Sequence, residues 1–322
     1  MAETADYDPG EWKGHDFKSA RAAFDVHAGR SYGAAKAAKK VASDLIVKKV
    51  ATNCHRPLIV ICDVTGTMGQ WPAVIFSKLP YLEIEGKEYL GKDLEISWAA
   101  VGDANTDVYP LQVRPFTKGL DLKAELEKLV IESNGGGQGM ETYELAALYY
   151  LHNATFAPNA KPIIIFIGDE RPYPDIDQDQ AKALTNYVIE KGISSTQVFK
   201  QLQERAAVYL VRKPYDDSTF EPENTSNRTI RKSWEDLLGV DHIANLVGPD
   251  RVVDVIFGIL ANETDKIDYF QDEIEDRQKS DQVEEVYRSL ESVHLLASRA
   301  GGHTGRSIMK QPSGGRPSKS LL

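Results

Sequence analysis

The chain has 322 residues, 42% of them hydrophobic, and a formal net charge of −10. This length and apolar content suit one large α/β domain with extensions, or two small domains, and the acidic balance argues against general nucleic-acid binding. No apolar run reaches membrane-spanning length, the opening MAETADYDPGEWKG has no secretory-signal pattern, and Cys54 and Cys62 alone make no disulfide framework, so the cytoplasm is the expected compartment.

Four zones follow in chain order. Residues 1–16 are polar and expected to be poorly ordered, and residues 17–52 are rich in Ala and Lys and read as one or two helices, so 1–52 is a polar N-terminus with a basic helical extension. Residues 53–263 alternate short apolar runs with amphipathic stretches and carry the fold. PLIVIC at 57–62 is a continuous apolar run, as a strand buried on both faces requires. LEISWAAV at 94–101 is a second. LQVRPF at 111–116 is short and holds Pro115, which suits a sheet edge. PIIIFI at 162–167, AAVYLV at 206–211 and HIANLV at 242–247 complete the strands. Leu122, Leu126 and Leu129, then Leu145, Leu148 and Leu151, then Val198 and Leu202 recur at helical spacing, and VVDVIFGIL at 252–260 closes the zone as an apolar helix. Strands alternating with helices predict a doubly wound α/β fold with a mostly parallel, Rossmann-like sheet. Residues 264–298 form a charged helical extension, where Val283, Val286, Tyr287, Leu290 and Val293 make an apolar stripe suited equally to packing on the domain or to a partner. Residues 299–322 form a basic tail expected to be disordered.

In such sheets ligands sit beyond the carboxyl ends of the strands, near the point where strand order reverses. Two predicted strands end there in an acid. The first runs into Asp63-Val64-Thr65-Gly66-Thr67, the later one into Gly168-Asp169-Glu170. Between them lies a glycine-rich stretch, 135–139, that leads to Glu141-Thr142. Carboxylates and hydroxyls are hard oxygen donors, the ligands that small hard cations prefer. The alternation of Asp63, Thr65 and Thr67 lets one tight loop aim all three at a point.

With Thr142 followed by Tyr-Glu-Leu-Ala-Ala-Leu and Asp169 after a later strand, Asp63-x-Thr65-x-Thr67 resembles the von Willebrand factor A (vWA) family and its metal-ion-dependent adhesion site, or MIDAS. That family carries D-x-S-x-S, a loop Thr and a distal Asp in this order. Trp234…Leu237-Leu238-Gly239 and Val252-Val253-Asp254-Val255-Ile256 look like its last crossover and helix, and the likeness covers about 200 residues. The family's Thr-Asp-Gly reads Gly168-Asp169-Glu170 here, which adds a negative charge. The resemblance implies a bound Mg²⁺, with Mn²⁺ or Ca²⁺ as alternatives. Thr65, Thr67 and Thr142 would touch the ion, and Asp63 and Asp169 would act mainly through water. It also implies a binding module, not an enzyme. Its partner would be a protein that presents an Asp or Glu to the metal, within a multiprotein assembly or beside an AAA+ ATPase, with no role for nucleic acid or membrane.

Other readings use the same residues. Asp63 can cap a turn and nothing more. Asp-Val-Thr-Gly-Thr also resembles the haloacid-dehalogenase-like phosphotransferases, in which the Asp would be a phosphorylated nucleophile. That reading leaves Thr142 unexplained, and Gly102-Asp103 arrives too early for that family's acidic motif. Asp103 and Asp107 are expected to line the rim or to solvate a loop, and Asp175, Asp177 and Asp179 to sit in a solvated loop.

Overall fold

The computed structural model describes residues 45–132, 139–215 and 218–293. In chain order the elements are β1 (Val50–Thr52), β2 (Leu58–Asp63), α1 (Trp71–Lys78), α2 (Tyr81–Leu90), β3 (Ile96–Val101), β4 (Leu111–Val113), α3 (Leu120–Leu126) and β5 (Met140–Glu141). After these come α4 (Tyr143–Asn153), β6 (Ala154–Phe156), β7 (Ile163–Gly168), β8 (Arg171–Pro172), α5 (Gln178–Thr185), α6 (Ser195–Gln203) and β9 (Ala207–Arg212). The chain closes with α7 (Thr225–Leu238), β10 (Ile243–Asn245), α8 (Val252–Thr264), α9 (Ile267–Arg277) and α10 (Ser280–Ser289).

Six strands form the central sheet in the order β10-β9-β7-β2-β3-β4. All neighbours are parallel except β4, which runs antiparallel to β3 at the edge. The sheet grows outward in one direction from β2 through β3 to β4, then restarts at β7 on the other side of β2. The order therefore reverses between β2 and β7, and the crevice beyond their carboxyl ends is where this architecture places a ligand.

The period of two along each strand splits the core. Leu58, Val60, Cys62, Trp98 and Ile165 face one layer, packed by α1, α2, α3, α8, α9 and α10. Ile59, Ile61, Ala99, Phe166 and Leu210 face the other, packed by α4, α5, α6 and α7. Both faces of β2 and β7 are thus covered, which is why their sequences read as unbroken apolar runs. Polar side chains fix where helices begin. Ser194 and Gln197 form a reciprocal capping box on α6. Asn224 caps α7 by accepting from the Asn227 amide.

Two expectations need correction. The described end of the 17–52 segment is extended, not helical. Val47 N–H donates to Val113 O (3.2 Å), Val113 N–H donates to Leu45 O (3.0 Å), and β1 pairs in parallel with β6. Ile46, Val47 and Val50 are β-branched; the backbone at 45–47 covers the open side of β4 at Val113, the edge of the sheet that needs a partner, while Val50 pairs with Ala154 of β6. Residues 1–44 and 294–322, with the expected basic helix and disordered tail, lie outside the described residues. The Asp175–Asp179 stretch is not a solvated loop throughout, since Asp177 caps α5 by accepting from Gln180 N–H at 2.9 Å. Of the two readings left open for the stripe on the charged extension, packing on the domain is the one seen: Val283, Val286, Leu290 and Val293 are buried in the first core layer and Tyr287 is partly buried against it.

Candidate functional site

β2 ends on Asp63 at the switch point, and the following turn folds back on it. Asp63 Oδ1 accepts from the Thr65 amide (2.9 Å) and the Thr65 hydroxyl (2.6 Å). Its Oδ2 accepts from the Tyr143 hydroxyl at the start of α4. A 3-10 turn at Gly66–Met68 then carries Thr67 across to the end of β7, where its hydroxyl donates to Asp169 Oδ1 at 3.1 Å. Asp63, Thr65, Thr67 and Asp169 are therefore brought together although 102 residues separate Thr67 from Asp169. Parallel pairing of β2 with β7 sets this, since Cys62 stands beside Ile167 and the two strands stop together.

Thr142 arrives by a different route. Its hydroxyl and amide both donate to Gly102 O, and Pro110 O lies 3.2 Å from the same hydroxyl. This leaves Thr142 oxygen lone pairs as possible acceptors or ligands. The residue after it, Tyr143, reaches Asp63, so Thr142 stands one position from the cluster, with its own hydroxyl engaged toward the β3–β4 loop. Residues 135–138 of the glycine-rich stretch, expected to shape this approach, lie outside the described residues; Gly139 takes φ +67, a left-handed value that favours glycine.

Several functional groups here were not singled out by sequence reasoning. The chief one is Lys213, just past β9. Its ammonium is buried and donates to Asp169 Oδ2 (3.0 Å), Thr67 O (2.9 Å) and Pro214 O (2.9 Å). It thereby ties β9, β7 and the 63–67 turn together. Nothing in the sequence near Lys213 marks it; only the parallel register of β9 with β7 brings it to Asp169. Tyr143 was likewise read only as part of a helix.

The surroundings are strongly acidic. Asp103 and Asp107 neither line an exposed rim nor solvate a loop; both are buried. Asp103 Oδ1 accepts from Asn105 N–H (2.9 Å) and Tyr173 OH (3.0 Å), and Asp107 Oδ2 accepts from Asp103 N–H (2.7 Å). Glu141, Glu144 and Glu170 are buried as well. Burial, reinforced by the Asp169 charge, pushes the Asp63 carboxyl up to about 7. Burial and then Glu132 push Asp107 up to about 7, and burial and then Asp63 push Glu170 up to about 8. Glu141, buried among Asp63, Glu170, Asp107 and Asp103, is pushed up to about 12. In each case removal from water dominates, and neighbouring carboxylates add to it.

The donor set suits a hard dication. Among the described residues, no three His, Cys, Asp or Glu side chains gather tightly enough to hold a metal by themselves. Hydroxyls and water would have to complete a coordination shell, as the threonines at 65 and 67 allow. Two observations favour a cation. Among the described residues, the buried carboxylates outnumber Lys213, whose ammonium is bonded to Asp169, and Glu141 Oε2 is buried without a hydrogen-bond partner. Mg²⁺, Mn²⁺ or Ca²⁺ thus fits in charge and in donor chemistry.

Aromatic packing holds the cluster in place. Trp234 is buried 5.2 Å from the Tyr143 ring and donates from Nε1 to Glu170 O at 2.7 Å, which fixes the backbone after Asp169. Gly168 lets the Tyr143 phenol pass over β7. A Cβ there would fall on the Tyr143 hydroxyl and lie 2.8 Å from its Cζ. Gly168→Ala is therefore expected to push Tyr143 off Asp63 and to cost about 1–3 kcal/mol, as overpacking does. Urea unfolding checks this, and an unchanged midpoint would show that the phenol has room to move.

No protein-family model matches the chain, and no curated protein matches it. Solved structures similar to it include the pilus adhesin SpaC from Lactobacillus rhamnosus GG, at TM-score 0.42 and 12% identity over 70% of this chain. SpaC in an open conformation gives TM-score 0.43 at 11% identity, again over 70% of this chain. The chain spans 31% and 30% of the length of these two adhesin structures. GBS104, an adhesive tip pilin from Group B Streptococcus agalactiae, gives TM-score 0.38 at 11% identity over 62% of this chain and 97% of that one.

Proposed function

We propose that this chain is a vWA-type binding module that holds a divalent cation, Mg²⁺ in the first instance, at the carboxyl ends of β2 and β7. The cation would grip an acidic side chain of a partner protein. The observation that carries the reading is the convergence of Asp63, Thr65 and Thr67 on Asp169 at the switch point of the sheet. A turn that only capped a strand would have no need of a hydroxyl directed at an acid on the neighbouring strand. A cation held by hydroxyls and water keeps much of its charge, and hence its affinity for one more carboxylate. Work inside a multiprotein assembly or beside an AAA+ ATPase, in the cytoplasm, belongs to the same reading. Cys54 and Cys62 are free thiols, and among the described residues no helix is long and apolar enough to cross a membrane. The phosphotransferase alternative gains no support from the geometry, because Asp63 is fully buried and both its oxygens accept hydrogen bonds.

The test is calorimetric titration of the full chain with Mg²⁺ and Mn²⁺. Wild type is expected to bind one ion per chain. Asp63→Asn and Thr67→Ala are each expected to weaken binding by about tenfold or more, as loss of a group that ligates or orients a metal does. Identical heats from wild type and Asp63→Asn would remove the metal from the account.

A further inference from the structure

Glu141 occupies a place in the site that no motif of the resemblance assigns. It lies on β5, immediately before Thr142, and β5 pairs with β8 so that Glu141 stands opposite Pro172. β8 follows Glu170 by a single bond, so this short pairing anchors Glu141 beside the segment that carries Asp169 and Glu170. Its side chain is 1% exposed, and Oε2 has no hydrogen-bond partner.

The other acids of this region contrast with it. Glu132 accepts from the Val108 and Tyr109 amides, Asp103 from Asn105 and Tyr173, and Glu144 from the Tyr173 amide. These are structural carboxylates with donors to satisfy them. Asp254 also has one oxygen without a partner, but the charged groups around it are Arg251, Arg277 and Lys78. The charged groups that act most strongly on Glu141 are themselves acidic: Asp63, Glu170, Asp107 and Asp103. Ionised carboxylates supply no hydrogens. What satisfies an oxygen in their midst, and relieves the repulsion among them, is a positive ion. If Asp63, Glu141, Asp169 and Glu170 are all charged, Lys213 offsets one of the four, and a dication offsets two more.

We propose that Glu141 is a direct carboxylate ligand of the divalent cation held beyond β2 and β7, the protein's own anionic contact to that ion. This rests on the cation reading above. It makes the site a four-segment one, built from the 63–67 turn, Glu141-Thr142, Asp169-Glu170 and the lysine after β9. The ion meets one charged oxygen from within the chain before any partner arrives, so its residual charge is lower than hydroxyl and water ligands alone would leave.

The experiment compares wild type, Glu141→Gln, Glu141→Asp and Asp63→Asn as full chains, using Mn²⁺ titration calorimetry and thermal unfolding in EDTA. Glutamine has the shape of a neutral glutamic acid, so a merely protonated, structural Glu141 would lose nothing. The expected result is that Glu141→Gln binds Mn²⁺ about tenfold more weakly or worse and unfolds in EDTA at or above the wild-type temperature. Glu141→Asp, with its shorter arm, should recover part of the affinity, and cooperative unfolding of both variants in EDTA rules out misfolding as the cause. Wild-type affinity in Glu141→Gln, with binding lost in Asp63→Asn, overturns the role of Glu141 and leaves the cation reading standing. Absence of Mn²⁺ binding by wild type overturns both.

Discussion

Lys213→Met is expected to destabilise the cation-free protein by about 3–5 kcal/mol, the scale found when one partner of a buried ion pair is removed. The substitution keeps the length of the side chain but takes away an ammonium bonded to Asp169 Oδ2, Thr67 O and Pro214 O. Asp169 keeps the Thr67 hydroxyl but remains a fully buried carboxylate without its cation. Two further results follow if the loss is electrostatic. Adding Asp169→Asn should recover much of it, so that the double variant is more stable than the two single effects sum to. Saturating Mg²⁺ should raise the unfolding midpoint of Lys213→Met by more than it raises that of wild type, because the metal then supplies the missing counter-charge. Urea unfolding in EDTA and in Mg²⁺ measures all four quantities. A loss within about 0.5 kcal/mol, the usual range of surface substitutions, would mean that the ammonium contributes nothing to holding the three strands together.

The second large effect is a dependence of stability on pH that runs opposite to ordinary acid denaturation. Asp63 and Asp107 are pushed up to about 7, and Glu170 up to about 8, whereas an unfolded chain leaves such groups near 4. A carboxyl whose folded value is raised contributes its full stability below the unfolded value and loses it as the pH climbs through the folded one. The cation-free protein should therefore lose a few kcal/mol between about pH 4.5 and about pH 7.5. Glu141, pushed up to about 12, holds its proton through that window and continues to cost stability above it. A bound dication favours the ionised carboxylates and should flatten the profile, stabilising the fold far more at about pH 7.5 than at about pH 5. Thermal or urea unfolding across this range, with EDTA and with Mg²⁺, reads both curves. Parallel curves would show that the cation, if it binds, does not meet these acids.

Much of the scaffold was legible in the sequence, and the reason lies in burial. β2, β3, β7 and β9 are covered on both faces, so they spell unbroken apolar runs that stand out from helical spacing. Pro115 marked its stretch as a sheet edge, and the strand that forms there, β4, is the antiparallel one. The segment at 45–52 was not legible, because its β character shows only in a few β-branched residues beside a lysine-rich stretch. The two-residue pairing of β5 with β8 is too short to leave any periodicity.

The candidate site divides in the same way. Asp63, Thr65, Thr67 and Asp169 could be picked out because they sit at the ends of strands whose order the pattern implies, and these four are brought together. Lys213 and Tyr143 could not, because a lysine after a strand and a tyrosine opening a helix are ordinary in a sequence. Their significance is created by register and by the missing side chain at Gly168. The buried state of Asp103 and Asp107 was also hidden, since an acid-rich loop looks the same whether it faces water or folds inward onto Tyr173 and its own amides.

The placement of the indole rings gives this protein an intrinsic optical readout. Trp71 lies with its ring centre 5.5 Å from the Lys213 ammonium, at one end of the cluster, and Trp234 is hydrogen-bonded to Glu170 O at the other. Quenching by a nearby positive charge is sensitive to its distance, so any ligand that moves Lys213 should alter the emission of Trp71. Sealed between Tyr143, Phe166 and Phe199, Trp234 should stay blue-shifted and serve as the internal standard. Trp98 is also buried, on β3, and Trp12 lies outside the described residues, so with Trp12 replaced by Phe occupancy could be followed without a label by the ratio of two emission bands.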